Sequence, residues 1–361
     1  MRADAGDFGQ GGATIRKLRS IALGLVAALA IAGCANVVSG SAKGGSPALT
    51  GASLFVGEVA TYGQTFTETQ MTLLAYLRAL RRIDPCGLLL MLKDIGAPTY
   101  ISGDVGGCFG SIKVTGTASP SSVGLSLVLG DYSRERPEFT IGGAPVFHTV
   151  GTCLYEFPIA LNKLPNAPVL KGTRVPALRV VVVDGARGVP APNCKMAQPV
   201  IGVLATLNPA DMPVREALSA YPIKIAERDP CEILDEYPGR VDDLRPSLFG
   251  DPFSCRFSLK DSDTQFEFTI RTGVDPPSRL HEEIRDGVEY FHGQDGSMCT
   301  SMVRLGKPLY ARDVPGGAMQ ENSTPERIFI EVLSFSLKAG DCGSTRAMID
   351  KAVGIFRGSF D

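Results

Sequence analysis

Ile83-Asp84-Pro85-Cys86-Gly87-Leu88-Leu89 has a counterpart further along the chain, Arg228-Asp229-Pro230-Cys231-Glu232-Ile233-Leu234. In both stretches an Asp carboxylate precedes an apolar run and can cap free backbone N–H groups. Pro then takes the first helical position, where no N–H is needed. Each stretch is expected to open a helix with a cysteine in its first turn. Three more cysteines follow each. Cys86, Cys108, Cys153 and Cys194 are spaced by 22, 45 and 41 residues, and Cys231, Cys255, Cys299 and Cys342 by 24, 44 and 43. The matched spacing predicts two copies of one domain.

Between the cysteines the patterns are those of strands. Gly107-Cys108-Phe109-Gly110 and Ser254-Cys255-Arg256-Phe257 place the second cysteine on a strand. Val123, Leu125, Leu127 and Leu129 recur at every second position, and Phe266, Phe268 and Ile270 alternate with Glu267, Thr269 and Arg271. Period two is the mark of a half-buried strand. Val146-Phe147-His148 and Tyr290-Phe291-His292 precede the third cysteines. Further strands are expected over residues 154–161, 177–184, 300–305 and 328–337. The four valines at 180–183 predict a central strand covered on both faces. Cys194 and Cys342 open closing helices. Ala347, Met348, Ala352, Ile355 and Phe356 make the second amphipathic, whereas Pro199 weakens the first or sits in its early turns. The fold class is therefore α+β: two similar domains, each an antiparallel sheet packed by N- and C-terminal helices.

Four cysteines per copy allow three pairings. The local set is preferred: Cys86–Cys108, Cys153–Cys194, Cys231–Cys255 and Cys299–Cys342, each pinning a terminal helix to a strand. The rival, metal ligation, lacks any CxxC spacing and has only His148 and His292 to assist, so no metal is expected. The 361 residues and 44% hydrophobic content supply two separate cores of about 130 residues each. Residues 65–82 read as an extra helix capping the first copy. The expected organisation is a signal peptide over 1–33, a lipidated cysteine and flexible tether over 34–64, a first domain over 65–208, a proline-stiffened linker over 209–222 and a second domain over 223–361.

At the N-terminus, Arg16, Lys17 and Arg19 precede an apolar run of about a dozen residues, the length of a signal h-region. Ile31-Ala32-Gly33-Cys34 closes it and resembles the lipobox of bacterial lipoproteins. The resemblance implies cleavage after Gly33 and lipidation of Cys34. Acyl chains such as palmitate would then hold the protein on the outer face of the cell membrane, since two or three chains anchor stably where one does not.

The order Asp-Pro-Cys, two strand cysteines and a closing cysteine–helix, behind a lipobox, resembles an actinobacterial lipoprotein family of unknown function found in mycobacteria, nocardiae and streptomycetes. The likeness covers residues 84–208 and again 229–357, as a tandem pair. The family has a Trp two residues after the second cysteine; Gly110 and Phe257 stand there in this chain, which has no Trp. The resemblance implies an extracytoplasmic α+β domain and carries no established activity. By layout alone the chain is also similar to disulfide-bearing sensor domains of mycobacterial receptor kinases.

Catalytic signatures are missing. There is no G-x-S-x-G, H-E-x-x-H or Walker-type loop. The glycine-rich Gly103-Asp104-Val105-Gly106-Gly107 reads as a turn before Cys108. The acidic residues Glu232, Asp235, Glu236, Asp242 and Asp243 lack the calcium-loop pattern and read as a solvated face. Asn322-Ser323-Thr324 matches a glycosylation sequon by chance. The net charge of −2 and the absence of basic–aromatic blocks argue against nucleic acid. No cofactor is expected. The expected function is a non-catalytic binding or interaction module, a sensor accessory or envelope scaffold with an envelope protein as partner. The alternative is a carrier of lipid or another apolar envelope ligand. A third reading is a hydrolase using His148 or His292.

Overall fold

The computed structural model describes residues 50–96, 98–113, 120–184, 194–215, 224–260, 262–309, 326–336 and 342–357. Cys34, the signal segment, Asn322 and residues 216–222 of the expected linker lie outside the described residues.

The period-two segments form two antiparallel sheets. The first comprises β1 (Pro98–Gly103), β2 (Gly107–Ile112), β3 (Ser121–Asp131), β4 (Phe139–Ile141), β5 (Ala144–Thr149), β6 (Leu154–Pro158) and β7 (Arg174–Asp184). Its order is β1-β2-β3-β7-β6-β5-β4. The second comprises β8 (Val241–Arg245), β9 (Ser254–Leu259), β10 (Thr264–Gly273), β11 (His281–Arg285), β12 (Val288–Asp295), β13 (Met298–Leu309) and β14 (Glu326–Ser336). Read from β8, its order is β8-β9-β10-β14-β13-β12-β11, strand for strand that of the first. The repeat inferred from cysteine spacing is thus a repeat of topology. Register matches too: Cys108 faces Leu125 across β2 and β3, and Cys255 faces Phe268 across β9 and β10.

Among the described residues four α-helices accompany the sheets: α1 (Glu68–Arg82), α2 (Pro85–Leu90), α3 (Ala197–Ala205) and α4 (Gly343–Phe356). The Asp-Pro-Cys signal works as expected. Asp84 accepts from the Cys86 amide at 3.0 Å and Asp229 from the Cys231 amide at 2.9 Å. The second copy departs in one respect: residues Pro230–Glu236 form a 3-10 helix. Its end is tied down by Gln64, whose amide donates to the Leu234 and Tyr237 carbonyls at 3.0 Å each. Pro199 lies in the first turn of α3, where its missing N–H is harmless. All four local disulfides are formed, each tying a helical segment to the sheet or to a strand end.

Three expectations change. The valines at 180–183 belong to a central strand, β7 between β3 and β6, but only one face is fully covered. Val180 and Val182 are buried while Val183 is 54% exposed, because the helices pack on one side of the sheet. Residues 50–64, expected as tether, are packed: Leu54, Phe55 and Tyr62 are core residues and Gln64 is buried. The described part of the linker is likewise built in. The Gly51 amide donates to the Met212 carbonyl at 3.0 Å, and Val214 bridges Ile83. Finally, the apolar interior is one continuous cluster running from Leu54 to Phe356 through both sheets, not two cores. A small separate cluster of Phe291, Met302 and Phe329 covers part of the outer face of the second sheet.

α1 is the reason for the shared core. Thr67 caps it, accepting from the Gln70 amide at 3.3 Å while Gln70 accepts from the Thr67 amide at 2.9 Å. Leucines 73, 74, 77 and 80 and Tyr76 are buried along it. At its end, buried Arg81 donates to the Pro252 carbonyl at 2.9 Å and pairs with Asp229, both in the second repeat.

Candidate functional site

The connection from β6 to β7, residues 159–173, holds Pro165 and Pro168 together with Ala167, Val169 and Leu170. Proline keeps such a segment out of a sheet interior, and its apolar side chains need cover. α1 fixes it at two points. The Tyr76 hydroxyl donates to the Pro168 carbonyl at 2.9 Å, and Lys171 pairs with Glu68 at 2.7 Å. Gly172 provides the positive φ, 109°, with which the chain turns toward β7.

A cavity lies on each side of this strap. One, of about 740 Å³, is bounded by the β4–β5 turn, the end of β6, the start of β7 and the C-terminal end of α3. Its side chains are mainly apolar, with Lys163 and Arg174 as the charged groups. The other, of about 660 Å³, lies between the strap, the segment Leu54–Val59 and the α1 residues Met71, Thr72 and Ala75. Pro168 and Val169 line both. Volumes of roughly 300–1,000 Å³ and a mostly apolar lining are typical of small-ligand sites. Val169 is 78% exposed, an apolar side chain standing at the partition.

His148 and His292 lie on the equivalent strands β5 and β12 but in different surroundings. His148 is held between the Glu138 carboxylate at 2.6 Å and the Thr152 carbonyl at 2.6 Å, and stacks on Tyr155. Both ring nitrogens are engaged, which leaves neither to take a substrate proton. His292 sits between Ser301, at 3.0 Å from Nδ1, and Glu283, at 3.8 Å from Nε2. This superficially matches a serine–histidine–carboxylate line-up. Ser301, however, is 1% exposed in the middle of β13, where no substrate carbonyl can reach it. Burial, reinforced by Arg346, lowers the proton affinity of His292 and keeps it neutral.

The acidic cluster disperses into local pairs. Glu232 binds Arg228, Glu236 binds Lys351 at 3.0 Å and Asp243 binds Arg245. Among the described residues no group of three or more His, Cys, Asp or Glu side chains is placed to hold a metal ion. Gly103–Gly107 is the β1–β2 turn, closed by the Asp104 amide donating to the Gly107 carbonyl at 3.0 Å.

Sequence reasoning missed the strap and its cavities. The available signal was a loop rich in both proline and aliphatic residues.

No family model matches the chain, no curated protein matches it, and no solved structure matches it.

Proposed function

We propose that this is a lipid-anchored envelope protein, tethered through Cys34 on the outer face of the cell membrane, whose first repeat binds an apolar ligand. The observation that carries the reading is the pair of cavities of about 740 and 660 Å³ flanking the 159–173 strap. Concave, mainly apolar volumes of that size are the usual form of a small-ligand site. Exposed Lys163 at the first cavity suits a ligand with an anionic end, such as a fatty acid or an anionic lipid. The reading involves no catalysis and fits the actinobacterial lipoprotein resemblance.

Native mass spectrometry of residues 47–361, exported and purified without detergent from an actinobacterial host, tests it. A retained mass of lipid size, lost in Ala75→Phe, is expected. Ala75 lines the second cavity from α1, so Phe there takes up part of its volume, and far-ultraviolet dichroism checks that the variant is folded. A bare mass, with no displacement of an apolar fluorescent dye by palmitate, rules the reading out.

A further inference from the structure

We propose that the cleft between the outer faces of the two sheets is a site for a primary ammonium group carried on an apolar chain. The charge sits among Asp104, Asp251 and Glu267, and the chain lies against Phe109, Leu248 and Phe249.

The cleft measures about 460 Å³. One wall is the helix-free face of the first sheet, with Phe109, Ser126, Val128 and Arg179; the other is the equivalent face of the second, with Glu267, Thr269, Arg271 and Glu331. The β8–β9 loop closes one side, fixed by the Leu129 amide donating to the Gly250 carbonyl at 2.7 Å. Gly250 has φ +72° and lies against the Leu129 backbone, so no side chain fits there.

The cleft is lined by the acids Asp104, Asp251, Glu267 and Glu331 and the cations Arg179 and Arg271, with Arg215 near Asp104 and Arg256 near Glu267. Arg179 is committed to Glu156 at 2.6 Å and Arg271 to Glu331 at 3.1 Å. Asp104, Asp251 and Glu267 make no salt bridge among the described residues. Asp104 accepts from the Gly107 amide, Asp251 from the Phe253 amide at 2.8 Å, and Glu267 Oε1 from the Leu248 amide at 3.4 Å. Glu267 is 4% exposed and its Oε2 has no partner at all. A buried carboxylate oxygen without a donor costs roughly 1–3 kcal/mol or more, and a ligand that supplies the donor recovers it. Asp104, Asp251 and Glu267 all line this one cleft.

The ligand class follows from the remaining chemistry. An ammonium carries donors and no acceptor, which complements the unpartnered Glu267 oxygen in an acid-lined cleft. Phe109 is 50% exposed, Leu248 45% and Phe249 76%, all lining the same cleft. Aromatic faces beside a cation add attraction, and apolar side chains need an apolar partner. A metal ion would leave these three side chains uncovered. The ammonium comes from a free amphiphilic amine or from a lysine side chain of a partner protein, and the chemistry is the same for both.

The test is isothermal titration of residues 47–361, one compact unit holding all four disulfides. The probes are n-hexylammonium chloride and Nα-acetyl-lysine methylamide at pH 7.5, in matched sodium chloride. Saturable binding of either is expected, weakened at least tenfold by Glu267→Gln and by Asp251→Asn and unchanged by Glu282→Gln, an exposed carboxylate away from the cleft. Tighter hexylammonium points to a free amine; tighter lysine derivative points to a protein partner. Asp251→Asn serves as the second readout should Glu267→Gln disturb the fold. No saturable binding, equal binding by both cleft variants, or an equal response to calcium chloride overturns the proposal. Ala75→Phe lies in the other site and leaves this titration unchanged, so the two readings fail separately.

Discussion

Asp251 and Arg215 show how single buried charges decide this structure. Burial pushes the Asp251 carboxyl up to about 6, with Asp104 and Glu267 adding to it and the Phe253 amide opposing. The folded chain thus holds this proton more tightly than the unfolded chain, whose carboxyl titrates near 3.9. The associated stability is complete below about pH 4 and is lost as pH rises through 6. Asp251→Asn keeps an acceptor for Phe253 and carries no charge. It is expected to raise the melting temperature at pH 7.5 and to flatten its dependence between pH 4 and 6, as calorimetry across that range will show. Arg215 is 1% exposed. It donates to the Ile83 carbonyl at 3.2 Å and the Val105 carbonyl at 2.7 Å, and lies 5.5 Å from the Phe253 ring centre in the other repeat. Arg215→Met removes two charge-assisted bonds and is expected to cost about 3 kcal/mol in urea unfolding. Neither residue stood out in the sequence, because nothing local distinguishes a buried Arg or Asp from an exposed one.

Elements were the most legible scale. Asp84 and Asp229 cap as their Asp-Pro-Cys context dictates, and the alternating residues of β3 and β10 point where period two sends them. The cysteine pairing was legible because each pair joins a helical segment to the nearest strand region. Loop closure makes the longer rings more stabilising: about 4 kcal/mol for the 43-residue Cys299–Cys342 ring against about 3.5 for the 24-residue Cys231–Cys255 ring. Replacing Cys299 and Cys342 by Ala is therefore expected to lower stability slightly more than replacing Cys231 and Cys255, and denaturant titration of the two double variants will rank them. Thr67→Ala, which breaks the α1 capping box, should cost about 1 kcal/mol by the same measurement. What periodicity could not give was the helical type of Pro230–Glu236 or the course of the 159–173 strap. Both segments are held by contacts from distant positions, Gln64 at the end of the one and Tyr76 on the other.

At the scale of the molecule, the sequence reads as two domains because its repeat is clear, yet the repeats share an interior. Besides direct contacts such as Leu129 with Gly250, the repeats are joined by a part that lies outside them: residues 50–82, present once. Tyr62 packs in the core, Gln64 bonds three backbone groups of the second repeat, and Arg81 reaches Pro252 and Asp229. Duplication supplies two sheets, and this single segment wedges between them. A second repeat produced alone, residues 224–361, therefore loses partners for the Leu234 and Tyr237 carbonyls, the Val241 amide and the Asp229 carboxylate, and exposes the apolar side chains that α1 covers. It is expected to be unfolded or molten, with weak near-ultraviolet dichroism and strong binding of a hydrophobic dye. Residues 47–361 are expected to unfold in one transition. The chain has no Trp, so the two probes are tyrosine fluorescence and far-ultraviolet dichroism, which should coincide. Two separated transitions, or a second repeat that folds alone, would mean that the segment 50–82 merely rests on a pair of independent domains. One transition would mean that its insertion turned the duplicated halves into a single folding unit and brought their helix-free faces together as the cleft.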